Sequence, residues 1–490
     1  MRAINQGLAW LSARYLGGVP TDNVAIVAGV LLTYVLGHAF QRIPPRMAGA
    51  RHAFSVASTV LAYGVVQDHM VGLAHLAAAA VVVYLLIRAL PGVHMPRAVF
   101  AVAMLHMSYS HVRRQMHERV SGRVEQDYTG AQMIFVIKAT SLANCIYDGR
   151  RADPERMTPY QRRNAIARPP GFLEFLGYMA FYPSFAVGPA FELAAYRRMM
   201  ALDSRRVAGP LARRAYARLA QGAFWMAVYL LCKDAFTFAE LARPGFYAQR
   251  SLGSAALYLC AAGVVARAAY YTAWKMSEGA CVLAGLGFGG LDESGSPQWL
   301  DIANVHVRGV ELGANIKTMV DSWNIGTNTW LRHHVYLRVI PQPVSGARAS
   351  STPATLLTFL VSAWWHGFYP GYYLTFVLGA LAASAARVLR RNLRPLVAPP
   401  PPPPPPDGQP ATTPAPTPAA KRVYDVAAWA LAKYSLDFVA APFMLLALQP
   451  SLLMWRYNYY AVPLGVLAVF AAFGALDLAR RPHPSAKRQK

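Results

Sequence analysis

The chain has 490 residues, 55% of them hydrophobic and 14% charged, and its 48 Lys and Arg against 23 Asp and Glu leave a net charge of +25. The apolar residues come in runs of about 20 rather than at amphipathic spacing, which excludes a set of soluble domains and describes a polytopic membrane protein. The basic excess lies in the loops between those runs with no nucleic-acid-binding motif beside it, so it reads as the charge bias of cytoplasmic loops and excludes nucleic acid as a partner.

In chain order, residues 1–22 form an interfacial amphipathic segment, with Leu8, Trp10, Leu11, Tyr15 and Leu16 beside Arg2 and Arg14. A membrane core over 23–394 follows. Its strong runs are Asn23 to Phe40, His69 to Leu90, Phe172 to Leu193, Leu219 to Phe238, Leu252 to Trp274 and Tyr372 to Leu389. Weaker ones lie at Ala53 to Val66, Ala98 to Val112, Ala131 to Tyr147, Met276 to Phe288 and Ala354 to Trp365. Residues 395–420, with the unbroken run Pro399 to Pro406, cannot form a packed core and are expected as a cytoplasmic linker; a ligand for a proline-recognising domain and a neutral insertion are the two readings. Residues 421–479 return to the membrane with the runs Val423 to Leu448 and Tyr457 to Leu478. Residues 480–490 form a basic cytoplasmic tail, whose Lys487 and Arg488 make a loose dibasic retrieval signal for the endoplasmic reticulum. The expected fold is all-α, with about eleven transmembrane helices. Cys145, Cys232, Cys260 and Cys281 stand singly and read as small buried hydrophobes.

Two segments hold the residues that point to chemistry. In ANIKTMVDSWNIGTNTWLRHHVYLRV, Ala314 to Val339, helical spacing puts Lys317, Asp321, Asn324 and Asn328 on one polar face, suited to a wet cavity or to a solvated surface helix, while Gly326 weakens the helix between the asparagines. In VSAWWHGFYPGYYLTF, Val361 to Phe376, one imidazole, His366, stands among aromatic and aliphatic residues at an interrupted hydrophobic element. Such a group either offers a base to a substrate within the membrane or only hydrogen-bonds a neighbouring helix. Tyr369, Tyr372 and Tyr373 suit aromatic packing. Glu278 either pairs with Lys275 three residues before it or lines a pocket. His333 and His334 lack the carboxylate spacing of a zinc site, so no metal is expected.

The string WHGFYPGYYLTF resembles the histidine motif of the membrane-bound O-acyltransferases, and DSWNIGTNTWLRHHVYLR resembles their asparagine motif, in both cases closest to the lysophospholipid acyltransferase branch. DYTGAQMIFVIKATSLANCIYDGR (Asp127 to Arg150), FYPSFAVGPAFELAAY (Phe181 to Tyr196) and YYTAWKMSEGACVLAGLGFGG (Tyr270 to Gly290) look like further blocks of that branch, in the same order. The resemblance implies helices around a catalytic tunnel, His366 and Asn324 as the catalytic pair, and Asn328, Trp330 and Arg332 as neighbouring motif positions. Trp365, Tyr369, Tyr373 and Glu278 are the remaining substrate-binding candidates. It implies acyl-CoA as co-substrate with no further cofactor, a lysophospholipid as acceptor, membrane lipids as surroundings and the endoplasmic reticulum membrane as location. Direct acyl transfer needs a base and an oxyanion donor but no serine or cysteine nucleophile, and the chain has no G-x-S-x-G elbow. A family member acting on sterol, diacylglycerol or protein is the first rival. A non-enzymatic lipid transporter is the second, though no internal repeat is visible.

Overall fold

The computed structural model describes residues 2–122, 128–150, 157–300, 302–340, 352–397 and 419–479. The linker core at 398–418 and the tail at 480–490 lie outside them, as does Asp127 at the start of one motif block. The described chain is almost wholly helical, with a single hairpin of Phe288–Leu291 and Pro297–Trp299 in antiparallel register. Asp292 Oδ1 closes that hairpin by accepting from the Ser294 and Ser296 amides, an Asx-type turn.

The chain divides into two units, of which the first comprises 1–235, 265–306 and 322–368. Its axis is the helix Thr129–Gly149, buried along most of its length and packed against His94–Ser121. Most of its polar side chains find partners within the protein, as burial demands: Asn144 donates to the Thr140 carbonyl at 3.0 Å, and Gln132 Nε2 donates to His106 Nδ1 at 2.9 Å although Gln132 Oε1 has no partner among the described residues. Lys138 donates to the Tyr178 carbonyl and lies over the rings of Tyr178 and Phe191, 4.5 and 4.6 Å from their centroids. Asp148 accepts two bonds from the Arg338 guanidinium, at 2.7 and 2.6 Å, which ties the 331–340 segment to the end of this helix. Helix Ala48–Thr59 runs on into a π-helical turn, Val60–Val66, and packs on Phe172–Met179, where Ser55 and Thr59 hydroxyls reach the Gly177 and Ala180 carbonyls.

The second unit comprises 236–264, 307–321 and the residues from 369 onward. Its centre is the pair Pro370–Val397 and Ala419–Leu445. A β-carbon at Gly371 would stand 2.0 Å from the Pro442 carbonyl oxygen, so only glycine lets the two backbones approach this closely. Thr375 Oγ1 donates to the Val439 carbonyl along the same contact. Buried Lys433 is balanced by Asp437 at 2.7 Å and Glu311 at 3.0 Å.

The expectation of about eleven spans is not met. Among the described residues, Thr21–Gln41, Met70–Ala89, Leu252–Leu283 and Pro370–Val397 are long and apolar enough to cross a membrane. The pair Leu448–Tyr457 and Ala461–Gly474, bent by 69°, adds at most a fifth. The other runs fail for identifiable reasons. Phe172 to Leu193 is cut where Pro183 and Pro189 end one short helix and delay the next to Leu193. Leu219 to Phe238 is cut where the helix Ala208–Cys232 ends before Lys233 and Asp234, the earlier half of that helix carrying Arg213, Arg214 and Arg218, and Ala419–Leu445 carries five charged side chains from Lys421 to Asp437. Thr129–Gly149 is enclosed by protein and so tolerates Gln132, Lys138, Asn144 and Asp148. Hydrophobic length alone cannot separate a lipid-facing span from a helix of the protein core.

Candidate active site

Helix Thr352–His366 ends on the histidine itself. Gly367 takes φ +122°, a conformation that side chains other than glycine's rarely adopt, and its amide donates to the Ala363 and Trp364 carbonyls at 3.1 Å. Pro370 then opens the next helix. His366 is thus the half-buried terminal residue of a helix, its ring 4.7 Å from that of Trp365 and nearly perpendicular to it.

The two tryptophans before it anchor that end. Trp365 is buried and donates Nε1–H to the Met133 carbonyl at 3.0 Å; Trp364 donates to Ser108 Oγ at 2.6 Å. From the other motif comes Trp330, also buried, which donates Nε1–H to Thr140 Oγ1 at 2.9 Å. The rings of Trp330 and Trp365 stand 6.0 Å apart within one apolar cluster with Met104, Met107, Val136 and Ile137. Both motifs are therefore fastened to the same stretch of Thr129–Gly149, each by an indole N–H that finds its acceptor inside the core.

Asn324 is placed differently from the expected stripe. Lys317 and Asp321 pair on the helix Ile316–Asp321 of the second unit, and the chain breaks before a new helix, Ile325–Trp330, begins in the first. Asn324 caps that new helix in the left-handed conformation, φ 42° and ψ 56°, its carbonyl accepting from the Asn328 amide at 2.9 Å. The four polar residues therefore do not share one helical face. The break falls at Asn324 rather than at Gly326, and asparagine tolerates this conformation better than other non-glycine residues. Trp323 fixes the turn from one side, packing on Tyr270, Tyr271 and Trp274 at 5.5, 5.9 and 4.7 Å. From the other, the Ile325 amide donates to the Asn304 carbonyl at 2.9 Å.

Glu278 belongs to this scaffold. It is buried between Arg218 at 2.7 Å and Lys275 at 2.8 Å, and the same Lys275 ammonium donates to the Val305 carbonyl at 2.7 Å. Through Lys275, the carboxylate is linked to the 304–305 segment on which Ile325 rests. Asn328 is half-buried on the short helix and Arg332 is exposed on the π-helical turn Leu331–Tyr336. Tyr369 and Tyr373 lie in the second unit; Tyr369 packs edge-on against Tyr372 at 5.7 Å, and Tyr373 is half-buried.

His333 and His334 join a second polar group, outside the four apolar helices. His333 stacks on Tyr160, with ring centroids 3.7 Å apart. Glu192 accepts from Tyr160 Oη at 2.7 Å, His334 Nε2 at 3.1 Å and Cys145 Sγ at 3.4 Å. Burial alone would raise this carboxyl, but His334, Tyr160 and Cys145 outweigh it and hold Glu192 below the ordinary carboxylate range. One residue beside His366 has no signal in the sequence: His111 of the His94–Ser121 helix is buried, with Nε2 3.2 Å from the Trp365 carbonyl oxygen.

A family model described as membrane-bound O-acyltransferase family matches residues 98–401. The chain belongs to this family. Among its relatives, a lysophospholipid acyltransferase of Schizosaccharomyces pombe is 33% identical over 468 residues, covering 94% of this chain and 87% of the relative. A lysophospholipid acyltransferase of Saccharomyces cerevisiae is 29% identical, covering 93% and 74%. A membrane-bound glycerophospholipid O-acyltransferase 1 of Mus musculus is 27% identical, covering 96% and 93%. Both segments that resemble the family's motifs, around Asn324 and around His366, fall inside the matched span.

Proposed function

We propose that this membrane-bound O-acyltransferase is a lysophospholipid acyltransferase that moves a fatty acyl chain from acyl-CoA to the free hydroxyl of a lysophospholipid. The observation that carries the acceptor class is the similarity, over nearly the whole chain, to relatives named for that activity.

In this reading His366 takes the proton from the acceptor hydroxyl as its oxygen attacks the thioester carbonyl, and Asn324 donates to the developing oxyanion or aligns the alcohol. Collapse of the tetrahedral centre expels the CoA thiolate, which takes a proton from the imidazolium. Neither step needs a covalent acyl-enzyme. The location of His366 at a helix end, braced by two indole hydrogen bonds, supports the assignment, since a base must be held in register with a substrate that is itself mobile. The donor's nucleotide head is highly charged and stays in the cytosol, whereas the amphiphilic acceptor enters sideways from lipid. A tunnel that meets both at His366 while excluding bulk water limits competing thioester hydrolysis. The endoplasmic reticulum membrane is the proposed location, as the resemblance to the lysophospholipid acyltransferase branch implies.

Membranes containing the protein, given labelled oleoyl-CoA and a panel of lysophosphatidylcholine, lysophosphatidylethanolamine, lysophosphatidylserine, lysophosphatidic acid, sterol and diacylglycerol, test the proposal. Label in diacyl phospholipid is expected. Label only in sterol ester or triacylglycerol moves the protein to another branch of the family, and silence toward every acceptor favours a non-enzymatic role.

A further inference from the structure

We infer that His111 is a positioning residue for His366, acting as the cap of the helix that ends on it. The last four carbonyls of a helix have no amide of the same helix to accept from. At the end of Thr352–His366, the Gly367 amide takes up the Ala363 and Trp364 carbonyls. The Trp365 carbonyl oxygen instead has His111 Nε2 at 3.2 Å. A carbonyl only accepts, so Nε2 carries the hydrogen and donates it.

The opposite edge of the same ring lies against Gly367. A β-carbon there would stand 3.2 Å from His111 Nδ1 and 3.3 Å from Cγ, tighter than ordinary packing allows. One buried imidazole therefore touches the backbone on both sides of His366, through a hydrogen bond to residue 365 and through close contact with residue 367. This also accounts for the glycine after the histidine, which is needed for its positive φ and for the room the His111 ring occupies. An imidazole donating at a helix C-terminus is favourable to the helix dipole as well. His111 comes from the same helix as Ser108, which accepts from Trp364, so a single turn of His94–Ser121 holds residues 364, 365 and 367 together.

The inference rests on His366 being the base proposed above, and the test separates the two. His111→Phe keeps a planar ring and removes the donor; His111→Gln keeps an N–H at nearly the same reach. In membranes with equal amounts of full-length protein, His111→Phe is expected to lower kcat about 10- to 100-fold, the size of effect that a small misplacement of a catalytic group produces. KM for oleoyl-CoA stays within about threefold, and His111→Gln recovers roughly a third or more of the wild-type kcat, because the capping bond is restored. If His111→Phe is not recovered folded, His111→Gln against His111→Asn makes the same comparison, since the asparagine amide falls about one bond short. A kcat for His111→Phe near wild type, equal loss in the phenylalanine and glutamine variants, or a change confined to KM would overturn the positioning role. Full activity of His366→Ala in the same assay would instead overturn the proposed base.

Discussion

Trp330 and Trp365 stand with ring centroids 6.0 Å apart and planes tilted by 44°, each donating its indole N–H to Thr129–Gly149, Trp330 to Thr140 Oγ1 and Trp365 to the Met133 carbonyl. One belongs to the asparagine motif and the other to the histidine motif. Two segments separated by an extended stretch of sequence are thereby referenced to a single helix, which places Asn324 and His366 on a common rigid support.

That support is expected to be sensitive at Trp330. Truncation to alanine empties a large, fully buried site and removes the indole N–H that Thr140 Oγ1 accepts from, a loss of about 3–5 kcal/mol for such residues. Trp330→Phe refills much of the volume and should lose less. Thermal unfolding in detergent, followed by size-exclusion fluorescence, ranks the two; equal melting temperatures for wild type and Trp330→Ala would contradict the packing argument.

At Asn324 the backbone and the side chain can be separated by choice of substitution. Glycine accepts the left-handed conformation without cost, whereas alanine adds about 1–2 kcal/mol of backbone strain. Asn324→Gly should therefore fold like wild type yet turn over about 100-fold or more slowly, as expected when an oxyanion donor is removed. Asn324→Ala should combine that loss with a lower melting temperature. Were Asn324→Gly nearly as active as wild type, the amide would have no part in the chemistry.

Glu278→Gln tests whether that carboxylate is structural. The substitution leaves Arg218 and Lys275 facing each other without their counter-charge, and breaking a buried pair in this way costs about 3–5 kcal/mol. Reduced thermal stability with an unchanged KM for acyl-CoA in the folded fraction is expected. A raised KM at unchanged stability would instead place Glu278 in the substrate pocket.

Gly371→Ala should destabilise the protein without any direct effect on the chemistry, because the added carbon meets the Pro442 carbonyl oxygen, a backbone atom that cannot swing away. Limited proteolysis of the purified protein reads this out as faster cleavage within the 369–479 region; an unchanged digestion rate would show that the two helices separate at little cost.

The two residues proposed to carry the chemistry stand out in the sequence because their setting is unusual: an imidazole after two tryptophans and before a glycine, and an asparagine directly after a tryptophan. The pairing of Glu278 with Lys275 could be read from i,i+3 spacing, whereas Arg218 as the second partner could not, since nothing local links positions 218 and 278. Helical periodicity carried the polar stripe straight through 321–325, where the backbone in fact turns, because a left-handed residue held by tertiary contacts leaves no mark in a 3.6-residue pattern. Counting apolar runs overstated the spans for the related reason that a helix enclosed by protein and one facing lipid look alike in composition. His111 sits near the end of the apolar run Ala98 to Val112, and what sets it apart from its neighbour His106, which bonds Gln132, is its contact with the Trp365 carbonyl, invisible in the local sequence.

The most direct test of the central claim is the rate of acyl transfer from oleoyl-CoA to a lysophospholipid by equal amounts of wild-type and His366→Ala protein in the same membranes. Loss of the base predicts a fall of about 10²- to 10⁴-fold with the protein still folded and inserted. Turnover by folded His366→Ala within a few-fold of wild type would contradict the account.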